Sequence, residues 1–232
     1  MQFASIPKTL ALIPDGNRRW ANMHRLSVLQ GYKLGVQKFI DFSEWCREYG
    51  VNNLTVWALS SENVKRSPYE VKALFSIYRH ACKDRKILGR LEELGIHVNM
   101  ITNRSILPKD LVASLHGVEK KTENNSEGVI NMLIGYGGKD DLLFGARKFA
   151  GLVRRGYDAS AEAFKNCLLS YQVPDIDFVI RTSGERRLSG FMPWQLNYAE
   201  LYFSRKLWPD FARADLQRAM AEYNRRSRRF GR

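Results

Sequence analysis

The chain reads as an α/β fold, with a mostly parallel central sheet flanked by helices on both faces. Three observations predict it. Short, almost wholly apolar runs recur along the chain, separated by segments whose apolar residues follow helical spacing. That alternation gives crossover-linked parallel strands buried on both sides. The 232 residues, 44% of them hydrophobic, suffice for a sizeable core. No Gly/Ser linker, composition shift or internal repeat divides them, so one domain over 1–232 is expected.

"TLALIP" (9–14) is the first strand, an apolar run closed by proline. From Gly31 to Gly50, Tyr32, Val36, Phe39, Ile40 and Cys46 share one helical face. "NLTVWALS" (53–60), apolar and β-branched, is the second strand. In "SPYE" (67–70) Ser67 is an N-cap, Pro68 fits the first turn, and Glu70 stands where a capping box places an acid. The helix it opens carries Val71, Leu74, Phe75, Tyr78 and Cys82 on one face and is expected to run to Gly95.

"IHVNMIT" (96–102) and "VINMLIGYGG" (129–138) are the third and fourth strands, and helices follow over 139–155 and 159–170. "DFVIRTSGE" (177–185) is a fifth strand running into a polar loop. "AELYFS" (199–204) is a short sixth, and "ARADLQRAMAEYNRR" (212–226) a closing helix.

The formal net charge is +13, from 37 Lys and Arg against 24 Asp and Glu. A basic solvated surface explains this as well as nucleic acid, anionic lipid or a small polyanion does. Much of the charge lies in "NRRSRRFGR" (224–232), which also fits a plain helix end. Without a known motif or an aromatic-interleaved basic stripe, a nucleic-acid partner is not expected. Cys46, Cys82 and Cys167 are dispersed, which argues against a disulfide framework or zinc site and fits a reducing cytosol. The N-terminal apolar stretch is too short for a secretory signal and no run reaches spanning length, so a cytoplasmic protein, at most peripheral at a membrane surface, is expected.

Ligands of such sheets bind beyond the carboxyl ends of the strands. Three polar stretches are expected there: Asp15-Gly16-Asn17-Arg18-Arg19; Ser60-Ser61-Glu62-Asn63 with Arg66 close behind; and Arg181 to Ser189, which includes Arg187 and Leu188. Guanidinium forks, hydroxyls and backbone amides suit phosphate oxygens. Carboxylates among them either neutralise arginines or hold Mg²⁺, which takes one or two carboxylates plus substrate phosphates. Asp15, the single acid of its loop, fits the metal role best. Neither a Walker pattern nor a Gly-x-Gly-x-x-Gly fingerprint is present, the four histidines lack metal spacing, and no nucleophile elbow appears. The chemistry expected is diphosphate handling without a covalent enzyme intermediate.

In their order and spacing, "PDGNRRWA", "LSSENVKRS", "GYGGKDD", "VIRTSGERRLSGFMPWQLNYAELYF", "LWPDF" and "RRFG" resemble the cis-prenyltransferase (undecaprenyl diphosphate synthase) family over almost the whole chain. The resemblance implies a homodimer with an apolar substrate tunnel that condenses an allylic prenyl diphosphate with a C5 diphosphate, dependent on Mg²⁺. It implies that Asp15 positions Mg²⁺ and the allylic diphosphate, that Gly16, Asn17, Arg18 and Arg19 cradle the phosphates, and that Trp20 packs beside them. Ser60, Ser61, Glu62, Asn63 and Arg66 would form the loop over the reacting centre, with Asn63 assisting proton removal. Arg181, Arg187, Leu188 and Ser189 would hold the second diphosphate, and Glu200 would reach a metal in its own or a neighbouring subunit's site. Leu74, Phe75 and Tyr78 would line the tunnel, unless they are ordinary core.

Several positions depart from the family's usual pattern. Pro14 precedes Asp15, Arg18 replaces a glycine, Tyr32 a histidine, Val28 an arginine and Lys139 an arginine. Tyrosine stays neutral where histidine titrates, and Val28 offers phosphate no charge. These departures and the proline of "GFMPW" resemble the lavandulyl-type members, which join allylic diphosphates in non-head-to-tail fashion with dimethylallyl diphosphate as acceptor. That reaction is therefore the expectation. Regular head-to-tail elongation with isopentenyl diphosphate is the alternative, and a non-catalytic subunit of a heteromeric enzyme a further one.

Overall fold

A computed structural model describes residues 4–226. Six strands form one sheet in the order β3-β4-β2-β1-β5-β6, every pair parallel. They are β1 (Thr9–Ile13), β2 (Asn53–Ser60), β3 (Ile96–Thr102), β4 (Gly128–Tyr136), β5 (Phe178–Arg181) and β6 (Glu200–Phe203). Eight α-helices join them: α1 (Asn17–Met23), α2 (Val28–Glu48), α3 (Pro68–Ala81), α4 (Arg85–Glu93), α5 (Lys109–Lys121), α6 (Gly138–Val153), α7 (Ala161–Lys165) and α8 (Arg213–Arg225).

Successive strand residues enter opposite cores, because side chains alternate across a sheet. Leu10, Leu12, Phe178 and Ile180 join Phe42 of α2 and Leu216 and Met220 of α8 on one face. Ala11, Ile13 and Val179 pack with Val173, Ile176, Phe191 and Met192 on the other. Trp208, buried within a short 3₁₀ turn, stacks on Phe211, meets Phe42 edge-on and donates its indole N–H to the Gly35 carbonyl at 2.9 Å.

The six expected strands are present; β2 and β3 match the expected runs and the ends of the others shift by a few residues. The helix expected to continue from Ser67 to Gly95 is instead two. Asp84, between α3 and α4, accepts from the N–H groups of Lys86 and Ile87 and caps a new helix. The helix expected over 159–170 shrinks to the single turn and a half of α7. Two helices were not anticipated. α1 takes up Asn17, Arg18 and Arg19 of the polar stretch read over 15–19, and α5 buries Leu111, Leu115 and Val118. The tail motif "RRFG" lies outside the described residues.

Candidate active site

The strand order reverses between β1 and β5, so the crevice beyond their carboxyl ends is where such a sheet binds ligands. Two side chains meet across it. Asp15 follows β1 and Arg181 ends β5, and Arg181 Nη2 donates to Asp15 Oδ2 at 3.0 Å. Gly16, at φ +111, turns the chain sharply into α1, in a backbone region open to glycine. Thr182 Oγ1 donates to the Asp15 carbonyl at 2.6 Å and pins that turn to the end of β5.

The cluster spreads outward from this pair. Arg19 lies 3.7 Å from Asp15 and 3.3 Å from Glu185, and Arg187 pairs with Glu185 from the far side. Arg181 Nη1 donates to Ser189 Oγ at 3.0 Å and to the Arg187 carbonyl. Ser183 and Ser189 both hold positive φ, a strain that this loop stores beside its polar groups. Burial works against ionisation of Asp15, but the Arg181 hydrogen bond and the charges of Arg181 and Arg19 outweigh it and hold the carboxyl below its ordinary value. Ser183 adds to that lowering by proximity, although its hydroxyl makes no hydrogen bond of full geometry. The buried Arg181 Nε and Ser183 Oγ lack a protein partner, and so are suited to acceptors brought by a ligand such as phosphate oxygens.

A second cluster stands where α1, α2 and α3 converge. Tyr32 of α2 donates its hydroxyl to Glu70 Oε1 at 3.0 Å, and Arg66 donates to the same Glu70 oxygen at 2.8 Å and to Tyr32 at 2.7 Å. Arg18 of α1 approaches the other Glu70 oxygen at 3.7 Å. The expected capping box is half made: Ser67 Oγ accepts from the Glu70 N–H, but the Glu70 carboxylate turns inward to Tyr32 and Arg66. Its i,i+4 spacing from Arg66 was the signal in the sequence that could have revealed this.

Beside the second cluster opens an apolar cavity of about 170 Å³. Pro14, Asn17 and Tyr32 line its upper end, Leu74 and Tyr78 its side, and Leu91, Leu94 and Ile96 its floor. Phe75, expected beside Leu74 and Tyr78, does not line it and packs in the core with Leu107 and Leu111. Tyr78 is tied off by donating its hydroxyl to the Ala58 carbonyl at 2.6 Å.

Other expected residues lie at the edges. Ser60 Oγ accepts from the Asn63 N–H at 3.0 Å and so shapes the turn over residues 63–65, while Ser61 N–H bonds to the Tyr136 carbonyl. Glu62 is exposed at the start of that turn. Trp20 stacks on His24 and donates to Asp210 at 2.6 Å. Leu188 packs against the core beneath the Arg181 loop. Glu200 is not brought to the cluster of its own chain. It starts β6 opposite Phe178, three residues or about 10 Å below the rim where Phe203 pairs with Arg181. There it binds Arg226 at 2.8 Å.

The profile of a family described as putative undecaprenyl diphosphate synthase matches residues 13–231. The chain belongs to this cis-prenyltransferase family. A curated relative, the tritrans,polycis-undecaprenyl-diphosphate synthase (geranylgeranyl-diphosphate specific) of Thermoplasma acidophilum, is 38% identical, over 97% of this chain and 89% of its own. The solved lavandulyl diphosphate synthase of Lavandula x intermedia, in complex with dimethylallyl diphosphate, superposes with a TM-score of 0.92 at 33% identity, over 97% of this chain and 98% of that one. A probable undecaprenyl diphosphate synthase of Campylobacter jejuni superposes at 0.80 with 27% identity, over 98% and 100%. Prenyltransferase activity follows from membership of this family, and among the described residues no helix is long and apolar enough to cross a membrane.

Proposed function

We propose that the chain is a Mg²⁺-dependent prenyl diphosphate synthase that joins an allylic diphosphate to dimethylallyl diphosphate in non-head-to-tail fashion. The observation that carries this reading is the superposition on lavandulyl diphosphate synthase, solved with dimethylallyl diphosphate, over nearly the whole of both chains. The apolar cavity lined at one end by Pro14 and Asn17 offers the prenyl group a water-poor place.

Ionising an allylic C–O bond builds negative charge on the departing diphosphate, and catalysis requires that this charge be better stabilised than the ground state. Arg19, Arg181 and Arg187, already directed to acids in the crevice, exchange those partners for phosphate oxygens. Gly16 and Asn17 bring backbone close to the same oxygens, with Arg18 at the edge. Asp15 is the fitting metal ligand. Its carboxylate is 34% exposed, and the described residues contain no group of three ligating side chains, so the remaining donors would be phosphate oxygens. Held there, Mg²⁺ would supply positive charge to the diphosphate. Ser60 and Asn63 shape and occupy the turn from which Asn63 assists proton removal, with Ser61 and Glu62 beside them. Arg187, Leu188 and Ser189 frame the second diphosphate. The working unit is a homodimer, in which Glu200 serves a neighbouring subunit's metal.

A second reading, head-to-tail elongation with isopentenyl diphosphate, is favoured by the identity to the Thermoplasma undecaprenyl diphosphate synthase. A non-catalytic subunit is disfavoured by the intact Asp15–Arg181 pair. Incubation with each C5 diphosphate, with and without a labelled longer allylic partner, followed by mass spectrometry of the products, separates the readings. Branched products from dimethylallyl diphosphate alone are expected, and efficient regular elongation would overturn the preference. Chelation of Mg²⁺ should abolish turnover and its return restore it.

A further inference from the structure

We infer that Tyr32 faces the allylic cation of the reaction and that Glu70 is the positioning residue that makes it fit to do so. The inference rests on the proposed prenyl transfer.

A phenol has one proton, and Tyr32 gives it to Glu70 Oε1 at 3.0 Å. Arg66 takes up one lone pair of the same oxygen at 2.7 Å. What remains for the cavity is electron density, namely the other lone pair of the oxygen. Tyr32 lines the cavity with Pro14 and Asn17, at the end next to Asp15, where the proposed donor loses its diphosphate. An oxygen lone pair aimed at a carbocation stabilises it, and the effect is strong in an apolar, water-poor space.

Arg66 alone would oppose that chemistry, since its charge lies close to the same space. Glu70 cancels it at 2.8 Å, and its carboxylate is largely buried, with 14% of the side chain exposed. One carboxylate therefore fixes the direction of the Tyr32 proton and neutralises the neighbouring cation. The other oxygen holds Arg18, 3.7 Å away on α1, which ties the three elements at the cavity mouth. Burial keeps the phenol neutral by raising its pKa, in keeping with a role that makes no bond to substrate. In the step itself the donor C–O bond breaks, and its electron pair leaves with the diphosphate. The acceptor double bond attacks the allylic carbon, and the resulting cation gives a proton to the released diphosphate, with Asn63 assisting. Tyr32 exchanges no atoms.

Glu70→Gln keeps the shape but offers an amide that can donate to Tyr32, turning the phenol proton toward the cavity, and it leaves Arg66 uncompensated. On whichever diphosphate pair the wild type turns over, kcat should fall at least about tenfold. KM should stay level or drop, because Arg18 and Arg66, released from the carboxylate, become free to meet phosphate. Tyr32→Phe should cause a comparable fall, Glu70→Asp should recover most of the rate, and Glu70→Gln with Tyr32→Phe should be no worse than the more damaging single change. Unchanged melting temperatures would show that the fold persists. Full kcat in Tyr32→Phe, a loss carried by raised KM, or additive effects in the double variant would overturn the inference. A wild type inert toward isoprenoid diphosphates would instead overturn the proposed function beneath it.

Discussion

Arg181, nearly sealed from solvent at the end of β5, places Nη2 3.0 Å from Asp15 Oδ2 just past the end of β1. The contact spans the reversal point of the sheet and joins residues 166 positions apart. Asp15→Asn keeps an acceptor for Arg181 but removes the charge. Turnover should fall by about 10² or more, far out of proportion to the modest drop in melting temperature that loss of the charge brings. Steady-state kinetics beside thermal unfolding checks both.

The same pair gives a dependence on acid. The Asp15 pKa is lowered in the fold, so its contribution to stability is fully present above the unfolded-state value and is lost as pH falls through the folded one. The stability difference between wild type and Asp15→Asn should therefore be widest near neutrality. It should shrink below about pH 4, the range of an ordinary aspartate. Urea titrations at several pH values would show whether it does.

Gly35 lets α2 close onto α1. A Cβ there would stand 2.2 Å from Asn17 Oδ1 and 3.2 Å from the Trp208 ring, so Asn17 must leave its place beside the cavity. Gly35→Ala is expected to cost about 1–3 kcal/mol as overpacking and to lower activity further by moving Asn17. Denaturant unfolding and kcat/KM measured on one preparation test this.

Leu91 of α4 belongs to the cavity floor. Leu91→Ala deepens the space, so kcat/KM for a C10 allylic donor should rise relative to a C5 donor. Since Leu91 is only partly buried, the stability loss should fall near or below the low end of the 2–5 kcal/mol typical of such truncations. An unchanged donor ratio would show that the floor does not limit the chain.

Asp141, buried in the first turn of α6, accepts from Tyr136 at 2.8 Å, from the Leu169 N–H at 2.7 Å and from Ser170. Asp141→Ala strands these donors in the core, at about 1–3 kcal/mol for each group left unsatisfied. A clear drop in the urea midpoint is expected, with little change in m.

The strands were legible because a buried parallel strand leaves a compact signature. "TLALI" and "NLTVWALS" are apolar on both faces, and the observed limits of β2 match the run itself. α2 was legible from one-sided spacing. α5 was missed although Leu111, Leu115 and Val118 follow a helical repeat. α1 was missed because its seven residues carry two arginines and a single buried side chain, Ala21, too few to mark a face. The break between α3 and α4 rests on the Asp84 cap, a local hydrogen bond that an apolar face running past it conceals.

The amino-acid order by itself determined the α/β class, the six strands, the cationic stretches at their ends and the family. Each of these depends on residues near one another in the chain. Tertiary structure alone decided which charges meet. It set Arg181 on Asp15, gathered Arg18, Tyr32 and Arg66 around Glu70, and left Glu200 with Arg226 at the opposite end of β6. The reason is physical: a side chain's neighbours across a parallel sheet are fixed by strand order and register, which are cooperative properties of the packed core and are not written at any single position.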